Sequence, residues 1–272
     1  MFKIAFKVAY IGTGYHGFQR QPNLPTVEGE LLRAFKKAGI SEIPEKSDYS
    51  IAGRTDRGVS AIGNVVSLKT NSEVKINQIN YYLPPNIRLI GYAKVPLGFK
   101  PRYAKQRHYR YILDKTYCPK NSLNIELMKQ AAKQMEGKHN YINFSKRSER
   151  APERTVYGVK LSETHEVVVF DVVGESFLWN MVRKMVKVLI MIGQCKLTLN
   201  DLETLFDPDI PASIKPVPSE GLILMDVDYD GIDFRSEGYA INNFMKTLKD
   251  EYARKKTILD VENEMINVLN GF

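Results

Sequence analysis

Residues 2 to 10, FKIAFKVAY, place Phe2, Ile4, Phe6, Val8 and Tyr10 at every second position. A period of two gathers side chains on one face of a β-strand and on no face of a helix. The same constraint returns later in the chain. TVYGVKLSETHEVVVFDVVG reads as two strands reversing at Glu163–His165, and RHYRYILD puts Tyr109, Tyr111 and Leu113 on one face. Strands are further expected near Tyr49–Ala52, over IGNVVSLKT, from Ile87 to Val95 and over GLILMDVDY.

Helical spacing lies between these strands. TVEGELLRAFKKAG has Thr26 as N-cap and Gly39 as terminator. NIELMKQAAKQMEG carries the stripe Ile125, Met128, Ala132 and Met135. SFLWNMVRKMVKVLIMIG reads as one helix from Ser176 to Gly193, KINQINYY as a short one, and the segment from Gly238 as a helix or helix pair. Hairpins mixed with helices predict an α+β fold with a largely antiparallel sheet, not a doubly wound parallel one. The order of elements suggests two similar halves, residues 1–105 and 106–230, followed by a helical extension over 231–272.

Charge is unevenly spread. Through Arg110 there are 18 Lys and Arg against 7 Asp and Glu, and beyond it 21 against 24, so a net +8 hides a first part at +11 and a remainder at −3. Segregated positive charge suits a polyanion, nucleic acid or an anionic membrane surface, and suits equally a solvated face with no partner. The longest apolar run, Val188 to Ile192, is far too short to span a bilayer, and the first ten residues have no signal-peptide pattern. Cys118 and Cys195 stand alone, without the spacing of a zinc site or a disulfide framework, so the expected compartment is the cytoplasm.

Four stretches could carry chemistry. AGRTDRGVSA sets Asp56 between Arg54 and Arg57, either as a salt-bridged turn or as a reactive carboxylate awaiting an anion. GTGYHGFQRQP lacks the endings of a P-loop or dinucleotide loop, but its aromatics and Arg20 suit RNA as well as they suit an ordinary loop. KPRYAKQRHYRYIL interleaves Arg102, Arg107 and Arg110 with tyrosines, a pattern that can bind phosphates and stack bases, although alternating tyrosines on a strand are also ordinary core. Arg183 lies beside an apolar helical stripe; it either snorkels to solvent or pairs with a distant acid, for which Asp56 is a candidate.

YIGTGYHGFQRQPNLPTVEGELLRAF, AGRTDRGVSA, FKPRYAKQRHYRYIL, FLWNMVRKMV and PSEGLILMDVDY resemble, in order and spacing, the TruA family of tRNA pseudouridine synthases. The resemblance spans about residues 3 to 229. Arg57 and Ser60 look like archaeal and eukaryotic members, and Trp179 and Asn180 stand where a His or Gln often precedes Met-Val-Arg. It implies the pseudouridine synthase fold and a cofactor-free, metal-free isomerase acting as a homodimer on tRNA, with no membrane partner. The implied targets are uridines of the anticodon stem–loop, at tRNA positions 38, 39 and 40. Asp56 would be the catalytic nucleophile at C1′, or alternatively abstract a sugar proton. Tyr109 would pack on the target base and assist removal of the C5 proton, and Arg183 would orient Asp56. Arg54 would take the place of the extruded base, Arg57 would contact phosphate, and Arg20, Arg102, Arg107 and Arg110 would hold RNA. Two other classes stay open: a non-catalytic RNA-binding protein of the same fold, and a metal-dependent nuclease, which would need several clustered acids.

Overall fold

In the computed structural model, which describes residues 1–43, 46, 48–118, 123–146, 149 and 151–271, strand β1 (Phe2–Tyr10) is covered on both faces. Ile4, Phe6, Val8 and Tyr10 form the core face, as the period of two requires. The opposite face carries only Ala5, Ala9 and two lysines, and it too is closed. Lys3 pairs with Asp48 at 2.6 Å, Lys7 reaches Asp226 at 2.5 Å, and Ala9 packs with Phe244.

The remaining elements are α1 (Val27–Lys37), β2 (Ser50–Ile51), β3 (Ser60–Thr70), α2 (Ile76–Tyr81), β4 (Ile87–Val95), β5 (Gln106–Asp114), α3 (Ile125–Gln134), β6 (Gly137–Asn140), β7 (Glu153–Glu163), β8 (Val167–Gly174), α4 (Met181–Gly193), α5 (Leu199–Thr204), β9 (Leu222–Asp228), β10 (Arg235–Ser236) and α6 (Gly238–Leu269). Their strands form one sheet in the order β10-β4-β1-β3-β9-β5-β8-β7-β6, with β2 also on β3. Every ladder is antiparallel except β3 with β9, which is parallel over Ser60↔Ile223 and Ala61↔Leu224. The α+β, largely antiparallel expectation therefore holds.

Two cores flank the joint. In the first, Phe6, Tyr10, Phe18 and Leu68 cluster with Leu31 and Phe35 of α1; in the second, Phe170 clusters with Met128 of α3 and with Met185 and Leu189 of α4. Strand β9 arrives from late in the chain and seats itself between β3 and β5. It gives Leu224 and Val227 to the first core and Leu222 to the second. The cap of α1 is as expected: Thr26 accepts from the Gly29 N–H at 3.3 Å, and Gly39, at φ +69°, ends the turn.

Two expectations change. Helix α4 begins at Met181, not Ser176, because Asn180 adopts a left-handed conformation (φ 61°) and its side chain accepts from Arg183 instead of capping the helix. Residues 176–180 become an irregular segment. The segment from Gly238 is one helix, α6, in which only Ala240 and Phe244 are buried, and the expected helical extension over 231–272 also contains strand β10. No helix among the described residues is long and apolar enough to cross a membrane.

Candidate active site

Asp56 lies in the connection from β2 to β3, and that connection is tied down at Ala52, Gly53, Thr55, Asp56 and Val59. Ala52 N–H donates to Val65 O at 2.8 Å, and Phe18 N–H donates to Thr55 O at 3.0 Å. Val59 N–H closes the turn onto Asp56 O at 3.2 Å, and Gly12 N–H donates to Ser60 Oγ at 3.0 Å. Beneath the loop Tyr10 Oη and Thr55 Oγ1 share a hydrogen bond of 2.8 Å, while Asn64 Nδ2 donates to Tyr10 Oη and to Gly53 O. All three side chains are buried, so these bonds are screened from water and hold the loop firmly.

Two glycines are obligatory here for different reasons. Gly58 turns the chain at φ +84°. A Cβ at Gly12 would sit 2.1 Å from Val59 O, so only glycine lets the aromatic-rich loop lie against the Asp56 loop.

The carboxylate reaches across the joint. Arg183 Nη1, from α4, donates to Asp56 Oδ2 at 3.4 Å, and Trp179 Nε1 donates to Asp56 Oδ1 at 3.0 Å. The arginine is itself aimed by Nε donating to Val217 O at 2.8 Å and Nη1 to Asn180 Oδ1 at 2.9 Å. Trp179 is fixed through its main chain, where Ser145 Oγ donates to Trp179 O at 3.0 Å.

These groups line a cavity of about 580 Å³ that straddles β5, the Asp56 loop and the 176–183 segment. That volume suits a small organic group such as one nucleoside. Tyr109 forms part of its wall, edge-on to Phe177 with ring centroids 5.3 Å apart. Burial pushes the Tyr109 hydroxyl up to about 12, outweighing the opposing pull of Arg107, and the Asp56 charge adds to the rise. At neutral pH the group is a neutral phenol that donates a hydrogen bond, and its phenolate is scarce.

Of the expected residues, Arg54, Asp56, Arg102, Arg107, Tyr109 and Arg183 line the cavity, and Arg20, Arg57 and Arg110 do not. Arg54 and Arg57 are exposed on the loop, and Arg20 is exposed with its own N–H donating to Glu28 at 2.6 Å. Arg102 lies over the Tyr103 ring at 4.5 Å.

Direct contact with substrate fits neither Arg107 nor Arg110. The Arg107 guanidinium is buried and donates to Ala52 O, Arg102 O and Glu175 O at 2.6–3.2 Å, so it braces the cavity wall. Arg110 stands directly across from Asp171 on β8 and grips it through Nε and Nη2 at 2.9 and 3.0 Å. His108 joins the same carboxylate at 2.6 Å. Burial would raise the Asp171 carboxyl, but these two partners outweigh it and hold it below its usual range.

Trp179 and the Tyr10–Thr55–Asn64 support carried no functional expectation from sequence. A signal existed for the first: it is the chain's lone tryptophan, four residues before Arg183. Among the described residues no cluster of three or more His, Cys, Asp or Glu could hold a metal ion.

Comparison with known proteins places residues 131–230 within the family model described as tRNA pseudouridine synthase. The "tRNA pseudouridine synthase A" of Methanothermobacter thermautotrophicus is 48% identical over 93% of this chain and 90% of its own. The proteins of that name from Methanosphaera stadtmanae and Pyrococcus furiosus are 44% and 35% identical, over 99% and 97% of both chains. Among solved structures, an H/ACA RNP bound to a substrate RNA containing 2'-deoxyuridine gives a TM-score of 0.37 at 14% identity, covering 67% of this chain and 44% of that one. That likeness is too distant to bear on the site.

Proposed function

The chain belongs to the tRNA pseudouridine synthase family, and on that premise we propose that it isomerises uridine to pseudouridine in the anticodon stem–loop of tRNA, with Asp56 as nucleophile. The observation that carries the reading is a carboxylate held across the joint of the sheet, in a nucleoside-sized cavity, by a buried-side arginine and an indole N–H.

The chemistry follows from those groups. A flipped uridine presents C1′ to Asp56, at the cost of unstacking one base. The carboxylate oxygen bonds to C1′ as the N1–C1′ bond breaks, and the electron pair of that bond stays on the uracil. The base turns, its C5 bonds to C1′, and the carboxylate leaves with its own electron pair. The C5 proton departs and N1 takes up a proton, so no water is consumed and no second carboxyl is needed, unlike a hydrolytic glycosidase. Arg183 keeps a positive charge on Asp56 Oδ2 throughout. Tyr109, as a neutral phenol, packs on the base and hydrogen-bonds to it, and it is poorly suited to be the sole acceptor of the C5 proton.

Arg54 and Arg57, exposed on the same loop, are positioned to meet phosphate, and the substrate is read mainly by shape and backbone. Two copies would hold one tRNA, a reading that rests on the resemblance of the sequence blocks; a mass of one chain by light scattering, with and without tRNA, would overturn it.

The test is release of tritium from unmodified tRNA labelled at uridine C5. The wild type is expected to release it without added cofactor or metal, and Asp56→Ala to release none while still binding tRNA. A folded, tRNA-binding wild type that releases no tritium would overturn the assignment.

A further inference from the structure

Both oxygens of Asp56 are occupied in the free protein, and the two donors differ in kind. Arg183 is charged and is anchored by two shorter bonds, to Val217 O and Asn180 Oδ1. Trp179 offers one neutral N–H, at 3.0 Å, from a side chain that is 56% exposed. Its main chain is fixed by Ser145, and the next residue is locked in a left-handed conformation. Only the two side-chain torsions of the tryptophan are therefore free to change.

A carboxylate that must bond to carbon is blunted by a hydrogen bond to the attacking oxygen. The indole also stands in the cavity wall next to that oxygen, where a flipped uridine has to pass. An exposed aromatic side chain beside a nucleoside-sized cavity is, in addition, a stacking platform for a base. The arginine has reasons to stay; the tryptophan has a reason to leave and somewhere to go.

We infer that Trp179 is an exchangeable latch on the catalytic carboxylate. In the free protein its N–H holds Asp56 Oδ1. When RNA enters, the ring releases that oxygen and stacks on a nucleobase of the substrate. The inference rests on the proposed reaction and adds a substrate-contacting residue to it.

Because the chain has one tryptophan, emission excited beyond the tyrosine absorption band reports on this side chain alone. Titration of the wild type with unmodified tRNA is expected to quench its emission about twofold or more, as stacking on a base requires. Steady-state tritium release on two variants separates the latch from a fixed support. Trp179→Phe keeps an aromatic ring but has no N–H to release, and should lower KM for tRNA by about threefold. Trp179→Leu loses the platform, and should raise KM by about tenfold.

Unchanged emission at saturating tRNA, in a preparation that releases tritium, would overturn the inference. So would a Trp179→Phe protein whose kcat alone falls by about tenfold or more, because the N–H would then serve through the chemical step. Absence of tritium release from the wild type would instead overturn the reaction assignment, and the latch with it.

Discussion

Asp56 and Arg183 are 127 positions apart in sequence, and their side chains meet at 3.4 Å across the parallel contact that joins the two cores. The arginine is held less by the acid than by Val217 O and Asn180 Oδ1, both nearer to it. Its direction is therefore set before the carboxylate is considered. Arg183→Lys keeps the charge but loses the planar fork that reaches all three acceptors. We expect kcat to fall about 100-fold, in the range seen when one donor to a reacting centre is removed. Circular dichroism should be unchanged, and a lysine variant at wild-type kcat would show that charge alone suffices.

The basic residues divide by salt dependence. Arg54 is exposed, and Arg54→Gln should lower tRNA affinity and reduce the slope of log K against log salt by about one. Arg107 is buried among three carbonyls. Arg107→Gln should leave that slope alone and instead lower the melting temperature, because buried acceptors lose charge-assisted bonds. Equal slopes for Arg54→Gln and wild type would remove Arg54 from the RNA surface.

Gly12 is a test of packing at the site. Gly12→Ala drives a methyl to 2.1 Å from Val59 O, so the two loops must part. Overpacking of this kind costs ~2 kcal/mol, which corresponds to a drop of roughly 4–8 °C in Tm for a chain of this size. Differential scanning calorimetry reads it directly. Activity should fall further than stability alone explains, since Val59 N–H closes the turn that carries Asp56.

Alkaline pH should destabilise the fold before it stops the chemistry. Burial pushes the hydroxyls of Tyr109 and Tyr111 up to about 12, whereas an unfolded tyrosine ionises near about 10. Between those values the unfolded chain has lost protons that the folded chain keeps, so stability is full below the lower value and declines as pH rises through the window. Urea midpoints measured from pH 9 to pH 11 should fall, and Tyr109→Phe should flatten the fall. Over pH 7 to 9 turnover should show no inflection due to Tyr109; one that disappears in Tyr109→Phe would reassign the phenol as a base.

How much of this was readable beforehand depended on whether a property is local. Strand spacing in Phe2–Tyr10, the Thr26 cap and the Gly39 stop are set by neighbours a few residues away, and they appear as expected. The charge density around Arg107 and Arg110 was readable, but not its targets. Alternation puts His108 and Arg110 on one face of β5, and only the register with β8 brings Asp171 opposite Arg110 and diagonal to His108. Trp179 was read as part of a helix beginning at Ser176. It became part of the site because Asn180 turns left-handed and gives its side chain to Arg183, a choice no periodicity records. The seating of β9 between β3 and β5 was equally silent, since a strand's own pattern does not name its neighbours.

That seating has a consequence for how the protein comes into being. Strand β9 closes the sheet over residues 222–228, between the strand that follows Asp56 and the strand that bears Tyr109. Asp56 is made well before this strand, and a chain still lacking residues 222–228 has no strand between β3 and β5 to bridge its two cores. The acid therefore meets its arginine only once β9 has been made, and a fragment ending ahead of Leu222 is expected to be born without a reactive centre.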